Sequence, residues 1–164
     1  MNERKKAYLR LLPVFVLFAV LCIAAWLHKP QDTSLSERRP LAQFPEITVE
    51  NVLEGEPDMT ATIVEQVNDP RFQLCLDIGH ANSEVSDVPV EQWVRRWAGQ
   101  LGHVHIHNNE GGWDTHSGLG EGSIPMEQTL KLLEELAPEA TWTLETLEAE
   151  PSCRWLAERG WLEE

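Results

Sequence analysis

The spacing of apolar and polar positions changes several times along the chain, and the changes divide it into segments. Leu11 to Leu27 is a run of 17 apolar residues, LLPVFVLFAVLCIAAWL. It has no polar face, unlike a surface helix of a water-soluble domain. As a helix it would be roughly 25 Å long, marginally enough to cross a hydrocarbon core. From residue 47 the pattern alternates. Four short runs, ITVE (47–50), RFQLCLD (71–77), GHVHIH (102–107) and ATWTLE (140–145), predict strands. Segments with helical spacing follow each of them. Met59, Ile63 and Val67 mark the first, over 57–68, which Pro57 opens. Val90, Trp93, Val94, Trp97, Ala98 and Leu101 stripe the second, over 89–101. Met126, Thr129, Leu130, Leu133 and Leu136 stripe the third, with Ser123 as its cap and Pro125 in its first turn. PSCRWLAER (151–159) is the last, stopped by Gly160.

The order is βαβαβαβα, which predicts an α/β fold with a parallel sheet and helices packed on it. Each strand ends in a potential ligand: Glu50, Asp77, His105 and Glu145. In a closed parallel α/β barrel those ends share one rim, where active sites lie. Closure takes eight strands, so four form a half barrel. Such a half is expected to expose two sheet edges and an apolar interior face. Three completions are open: pairing of two copies as a homodimer, a partner supplying the other half, or a truncated or fused product.

Charge separates the front of the chain from this body. Residues 1–45 hold seven Lys/Arg and three Asp/Glu, a balance of +4. Residues 46–164 hold six Lys/Arg and 24 Asp/Glu, a balance of −18. An acidic body repels phosphate backbones, so nucleic acid is not an expected partner. Arg4, Lys5, Lys6 and Arg10 precede the apolar run, and Tyr8 and Trp26 flank it. Together they predict a basic cytoplasmic segment (1–10) and a single transmembrane signal-anchor helix (11–27) that holds the chain on a membrane. A cleaved signal peptide is the rival, with a poor cleavage site at Cys22-Ile23-Ala24; without a functioning anchor the chain would be cytoplasmic. Residues 28–45, with three prolines, read as a linker to the domain at 46–164. Cys22, Cys75 and Cys153 are odd in number and far apart, and read as isolated buried thiols.

Candidate chemistry concentrates in HVHIHNNEGGWDTH (103–116), which holds four of the six histidines. If Val104 and Ile106 pack on the helices, His103, His105 and His107 point into the barrel. Enclosed imidazoles need partners. A hydrogen-bonded cluster without metal is one solution. A divalent cation is the other, and His80, Asp114 and His116 strengthen it, in Asp77-Ile-Gly-His80 and Asp114-Thr-His116. Mixed nitrogen and oxygen ligands suit zinc, manganese or cobalt better than calcium. Glycines 111, 112, 118, 120 and 122 would let the loop fold back over the rim.

Two resemblances attach to these residues. LPVFVLF and SERRPLAQFPEITVENVLEG resemble the anchored start of DHHW-family proteins over about the first 54 residues, although the Asp-His-His-Trp signature is absent. That resemblance implies export or anchoring only. LCLDIGHAN, HVHIHNNEGGWDTHSGLGEGSI and TLETLE resemble the xylose isomerase-like TIM barrel superfamily, which includes sugar phosphate isomerases/epimerases and endonuclease IV. The likeness covers about residues 46–164 and corresponds to the second half of that barrel. It implies metal ligands at Glu50, Asp77, His105 and Glu145. It places His80 at a substrate or second-metal position, and Asp114 and His116 at a multi-metal Asp-x-His; His107 is a further candidate there. Asn108 stands where many relatives have Asp. In the epimerase branch it implies Glu50 and Glu145 as an acid/base pair acting on a small carbohydrate. Proton removal beside a carbonyl leaves an enediolate, which a metal and two carboxylates suit chemically. The expected function is therefore a metal-dependent sugar isomerase or epimerase that needs its barrel completed. The alternatives are a membrane-tethered non-catalytic domain with a relic metal site and, below it, an endonuclease IV-like hydrolase.

Overall fold

The computed structural model describes residues 46–162. The expected basic segment, anchor and linker lie outside the described residues. No helix among the described residues is long and apolar enough to cross a membrane.

Four strands, β1 (Ile47–Glu50), β2 (Phe72–Asp77), β3 (Leu101–Ile106) and β4 (Thr141–Leu144), form one parallel sheet in the order β1-β2-β3-β4. Helices α1 (Asp58–Val67), α2 (Val90–Trp97), α3 (Met126–Leu136) and α4 (Ala149–Ala157) follow the strands in turn. This is the expected α/β half barrel. β1 and β4 are its edges, each with one strand neighbour among the described residues.

Alternation along the strands sorts the side chains between two faces. Leu74, Leu76, Val104 and Ile106 meet the helices and join Trp93, Val94, Trp97, Leu130 and Leu133 in the core. Trp93 and Trp97 are fully buried and pack edge to face, with centroids 5.1 Å apart. Their indole N–H groups donate to Ser86 Oγ and Pro57 O, both at 2.9 Å. Each such ring removes roughly 150–250 Å² from water, a gross gain of about 4–6 kcal/mol. Prolines open three helices, Pro57, Pro89 and Pro125, and Asn68 closes α1 in the left-handed conformation at φ 48°.

The other face differs from expectation. It is polar, not apolar: Thr48, Cys75, His103, His105, Thr141 and Thr143 share it. Its polar groups find partners within the sheet, as where His103 meets Thr141 Oγ1 at 2.6 Å and Thr143 Oγ1 at 2.9 Å. His103 is thereby committed to the strand below the rim.

Two local expectations are also corrected. Leu101 begins β3 instead of ending α2, because the turn Ala98–Gln100 tightens to 3₁₀ and releases the chain into the sheet. Ser123 caps nothing; its hydroxyl donates to Asn109 O at 3.2 Å and accepts from Asn82 Nδ2 at 3.0 Å.

Candidate metal centre at the strand ends

Register brings the four strand ends together. Asp77 lies directly across from His105, Glu50 pairs with Cys75 two residues earlier on the same face, and Glu145 follows the β4 residue that pairs with Ile106. The His105 ring turns Nδ1 toward all three carboxylates. Its distances are 3.5 Å to Glu50 Oε1, 3.6 Å to Asp77 Oδ2 and 3.5 Å to Glu145 Oε1. Neither His105 Nδ1 nor Asp77 Oδ2 has a hydrogen-bond partner, and both are buried.

Those spacings test whether a metal fits. Four donors at 2.0–2.2 Å around one tetrahedral ion are separated by about 3.3–3.6 Å. His105 Nδ1 stands at that separation from all three acidic oxygens, and two of the four atoms are orphaned. The donors fall into two overlapping groups, Asp77, His105 and Glu145, and Glu50, Asp77 and His80, each with its atoms within 4.8 Å of one another. The donor set suits a borderline divalent ion such as zinc, manganese or cobalt. Like charges packed this closely repel one another unless a cation lies between them.

Asp77 is held by its surroundings. The Asn51 side chain grips the backbone at the end of β2, accepting from Asp77 N at 2.8 Å and donating to Asp77 O at 2.9 Å. Asp77 Oδ1 accepts from His80 N at 2.8 Å and lies 2.9 Å from His107 Nε2. Only Oδ2 is left for the centre. Burial pushes the Asp77 carboxyl up, but the His107 hydrogen bond, the His107 charge and the His80 N–H outweigh it and hold the group below its ordinary range.

The remaining predicted residues collect around Asp114. His80 Nδ1 meets Asn51 O at 2.8 Å, and His116 Nδ1 meets Glu145 O at 2.7 Å. A carbonyl only accepts, so each Nδ1 is the donor of its bond. Both Nε2 atoms face Asp114 Oδ2, His80 at 3.3 Å and His116 at 3.0 Å. The backbone at His116 takes the left-handed φ of 47°, a costly conformation for a non-glycine residue. His80 also reaches the first group, with Nδ1 3.4 Å from Glu50 Oε1.

The model of the xylose isomerase-like TIM barrel family matches residues 45–164. The chain belongs to that family. It is 26% identical to a D-tagatose 3-epimerase-like protein of known structure, with a TM-score of 0.60 over 69% of this chain and 46% of that one. A Thermus thermophilus protein, TTHB071, in a crystal soaked with ZnCl2, shares the fold at 23% identity and a TM-score of 0.58, over 70% of this chain and 44% of its own. An uncharacterized protein of Methanocaldococcus jannaschii, MJ1311, is 29% identical over 94 residues, 57% of this chain and 32% of that protein. The chain thus spans less than half the length of each of these relatives. The resemblance of the first 54 residues to DHHW-family anchors gains no support from these comparisons.

Within this xylose isomerase-like half barrel, sequence reasoning overlooked the residues that brace the centre. Asn51 and Asn109 are buried and bind backbone; Asn109 Nδ2 donates to Gly79 O at 2.8 Å. Asn108 makes no contact with a candidate ligand side chain. Its Nδ2 donates to Leu119 O and Ile124 O, and its Oδ1 accepts from Ile124 N and Asn109 N. A carboxylate has no N–H to donate and could not replace it here. The only hints in the sequence are that Asn51 follows a strand-end glutamate and that two asparagines follow the histidine strand. Of the five loop glycines, Gly111 and Gly122 have positive φ, at 83° and 92°. The reading of the cysteines holds in part. Cys75 is buried but not isolated, since its Sγ lies 3.6 Å from His105 Nε2, whereas Cys153 is exposed. Burial, then Glu50, Asp77 and Glu145, push the Cys75 thiol up to about 12.

A cleft of about 450 Å³ lies at the opposite end of the strands, beside Asn68, Pro70, Phe72 and Gln100. None of the candidate ligands lines it. That cleft and the candidate chemistry do not coincide.

Proposed function

We propose that the chain is one half of a divalent-metal-dependent isomerase or epimerase acting on sugars or sugar phosphates. The observation that carries this reading is the set of three carboxylate oxygens 3.5–3.6 Å from the orphaned His105 Nδ1. Family membership and the 26% identity to a D-tagatose 3-epimerase-like protein support the choice of chemistry.

Glu50, Asp77, His105 and Glu145 would hold the cation, which when bound supplies positive charge beside the oxygen on which enediolate charge develops. The rest falls to side chains of this chain. Glu50 ends one edge strand and Glu145 follows the other, so their carboxylates flank the Asp77–His105 pair. One takes the proton from the carbon next to the carbonyl, and the other returns a proton to the opposite face, inverting that centre. His80, His116 and Asp114 form the polar wall against which sugar hydroxyls bind, or a second cation position.

Each sheet edge lacks an outer neighbour among the described residues, and a second copy related by a two-fold axis along the barrel would set β4 beside its partner's β1 at both seams. We take completion of this kind as the active form. The apolar run at Leu11–Leu27 would anchor it, with the N-terminus in the cytoplasm; protease protection of tagged chains in membrane vesicles tests that orientation. The second reading, a tethered domain with a relic metal site, is favoured by the same unpaired edges.

The test combines metal analysis with isotope exchange. The full chain, loaded with zinc, manganese or cobalt, is incubated in heavy water with free ketoses and ketose phosphates. Expected are about one cation or more per chain, lost in Asp77→Ala and His105→Ala, and deuterium incorporation lost in Glu145→Gln. Bound metal without exchange into any of these sugars leaves the non-catalytic reading. A chain that binds no metal at all removes the metal-centre reading itself.

A further inference from the structure

His107 belongs to the histidine cluster and stands with His116 and Glu145 in a group of donor atoms within 4.8 Å of one another, so it passes for a ligand. We propose that His107 is a positioning residue for the centre at the strand ends, whose Nε2 turns Asp77 so that Oδ2 faces the cation. The inference rests on the metal-centre reading and assigns this side chain its part in it.

Three observations carry it. First, His107 Nε2 lies 2.9 Å from Asp77 Oδ1, and the two side chains are 0% and 1% exposed. Asp77 is a carboxylate that also accepts from His80 N, so Nε2 is the donor of this bond and has no lone pair for a metal; Nδ1, buried without a hydrogen-bond partner 3.4 Å from Asp114 Oδ1, is the one ring nitrogen left to face a cation. Second, the His107 ring stacks on His116 with centroids 4.2 Å apart and planes 12° from parallel. An imidazole coordinates along a lone pair in its own ring plane. Two nearly parallel stacked rings do not converge on a point about 2 Å from a nitrogen of each, so His107 and His116 are not joint ligands. Third, the ring is wedged in place. A Cβ at Gly79 would lie 1.9 Å from His107 Cε1, so a residue two positions beyond Asp77 is kept bare to admit this imidazole. The consequence falls on Asp77. With Oδ1 occupied twice, the carboxylate cannot rotate, and its free oxygen stays 3.6 Å from His105 Nδ1. A hydrogen-bond partner of a metal-binding carboxylate typically matters 10–100-fold in metal affinity.

The decisive measurement uses the wild-type full chain with ¹⁵N-labelled histidine and ¹¹³Cd as the cation. Scalar coupling to cadmium is expected at His105 and not at Nε2 of His107. Coupling at His107 Nε2 overturns the proposal while leaving the metal centre intact. Absence of cadmium uptake by the wild type overturns the metal centre, and this inference with it. Variants add an independent reading by cadmium titration. His107→Leu removes the donor and is expected to weaken binding about tenfold or more, whereas His107→Gln, which places an N–H near the lost Nε2, stays within a few-fold of wild type. Equal affinity in His107→Leu and wild type overturns the proposal. A His107→Leu chain that does not fold leaves the decision to the wild-type spectrum.

Discussion

Gly79 looks dispensable in sequence, one small residue in LDIGH, yet the structure leaves it no side chain. A methyl group there meets the buried His107 ring at 1.9 Å. Gly79→Ala is expected to destabilise the fold by about 1–3 kcal/mol, read from denaturant midpoints, because neither the ring nor the β2 end has space to retreat. Cys75 gives a second residue-level expectation. A thiol with its pKa raised to about 12 and 3% exposure presents almost no thiolate at neutral pH. Iodoacetamide at pH 8 should label Cys153 and spare Cys75 until denaturant is added, as read by mass spectrometry of the two peptides. Labelling of native Cys75 at the rate of Cys153 would contradict the placement of its side chain beneath His105.

The elements carry a different lesson. The segment between β3 and α3 is glycine-rich and has little regular structure, but it is pinned at both ends. Asn108 and Ser117 exchange backbone hydrogen bonds at 3.0 and 2.8 Å, and Leu147 N reaches His116 O at 3.0 Å. Asn108 holds the return of the chain through Leu119 O and Ile124 O. Asn108→Asp, conservative in shape, would set a carboxylate oxygen against two buried carbonyls. The expected cost is about 1–3 kcal/mol, with hydrogen exchange across 110–122 accelerated more than in the strands. Asn108→Ala, which removes the donor without adding charge, should cost less than Asn108→Asp. The reverse order would show that charge at this position is not what matters.

At the scale of the whole molecule, stability should follow the Asp77–His107 pair in the metal-free chain. Asp77 is held below its ordinary pKa, so its contribution is present above the usual carboxylate range and is lost as pH falls through the lowered value. His107 is raised, because Asp77, Asp114 and Glu145 outweigh the burial that pulls it down. Its contribution is complete below the ordinary imidazole value of 6.5 and is lost as pH rises through the raised one. Urea midpoints against pH should therefore peak between the two, and His107→Gln should flatten the alkaline arm. The unpaired edges make a second prediction at this scale. The full chain should sediment as a dimer, and a charge introduced on the β4 edge, as in Thr141→Lys, should weaken it. A monodisperse monomer that still binds metal would separate the centre from the pairing.

Much of this architecture is legible in the sequence because strand and helix periods are local. Alternation in ITVE, RFQLCLD and GHVHIH, and the 3.6-residue stripe of α2, follow from which positions must leave water. The same logic placed Glu50, Asp77, His105 and Glu145 at strand ends, since parallel strands all finish on one side. What only the tertiary structure decided is which atom meets which. Asn51 reaches Asp77 across 26 residues, His107 reaches it across 30, and Asn82 reaches Ser123 across 41. Those contacts depend on strand register, on a bulge between Leu74 and Cys75, and on how a loop folds back, none of which leaves a period in the chain. Residue types and order thus determined which groups arrive at the rim. Register and packing decided which oxygen of Asp77 is free, which nitrogen of His105 faces the carboxylates, and that the interior face is polar, because hydrogen bonds and lone pairs are directional where hydrophobic burial is not.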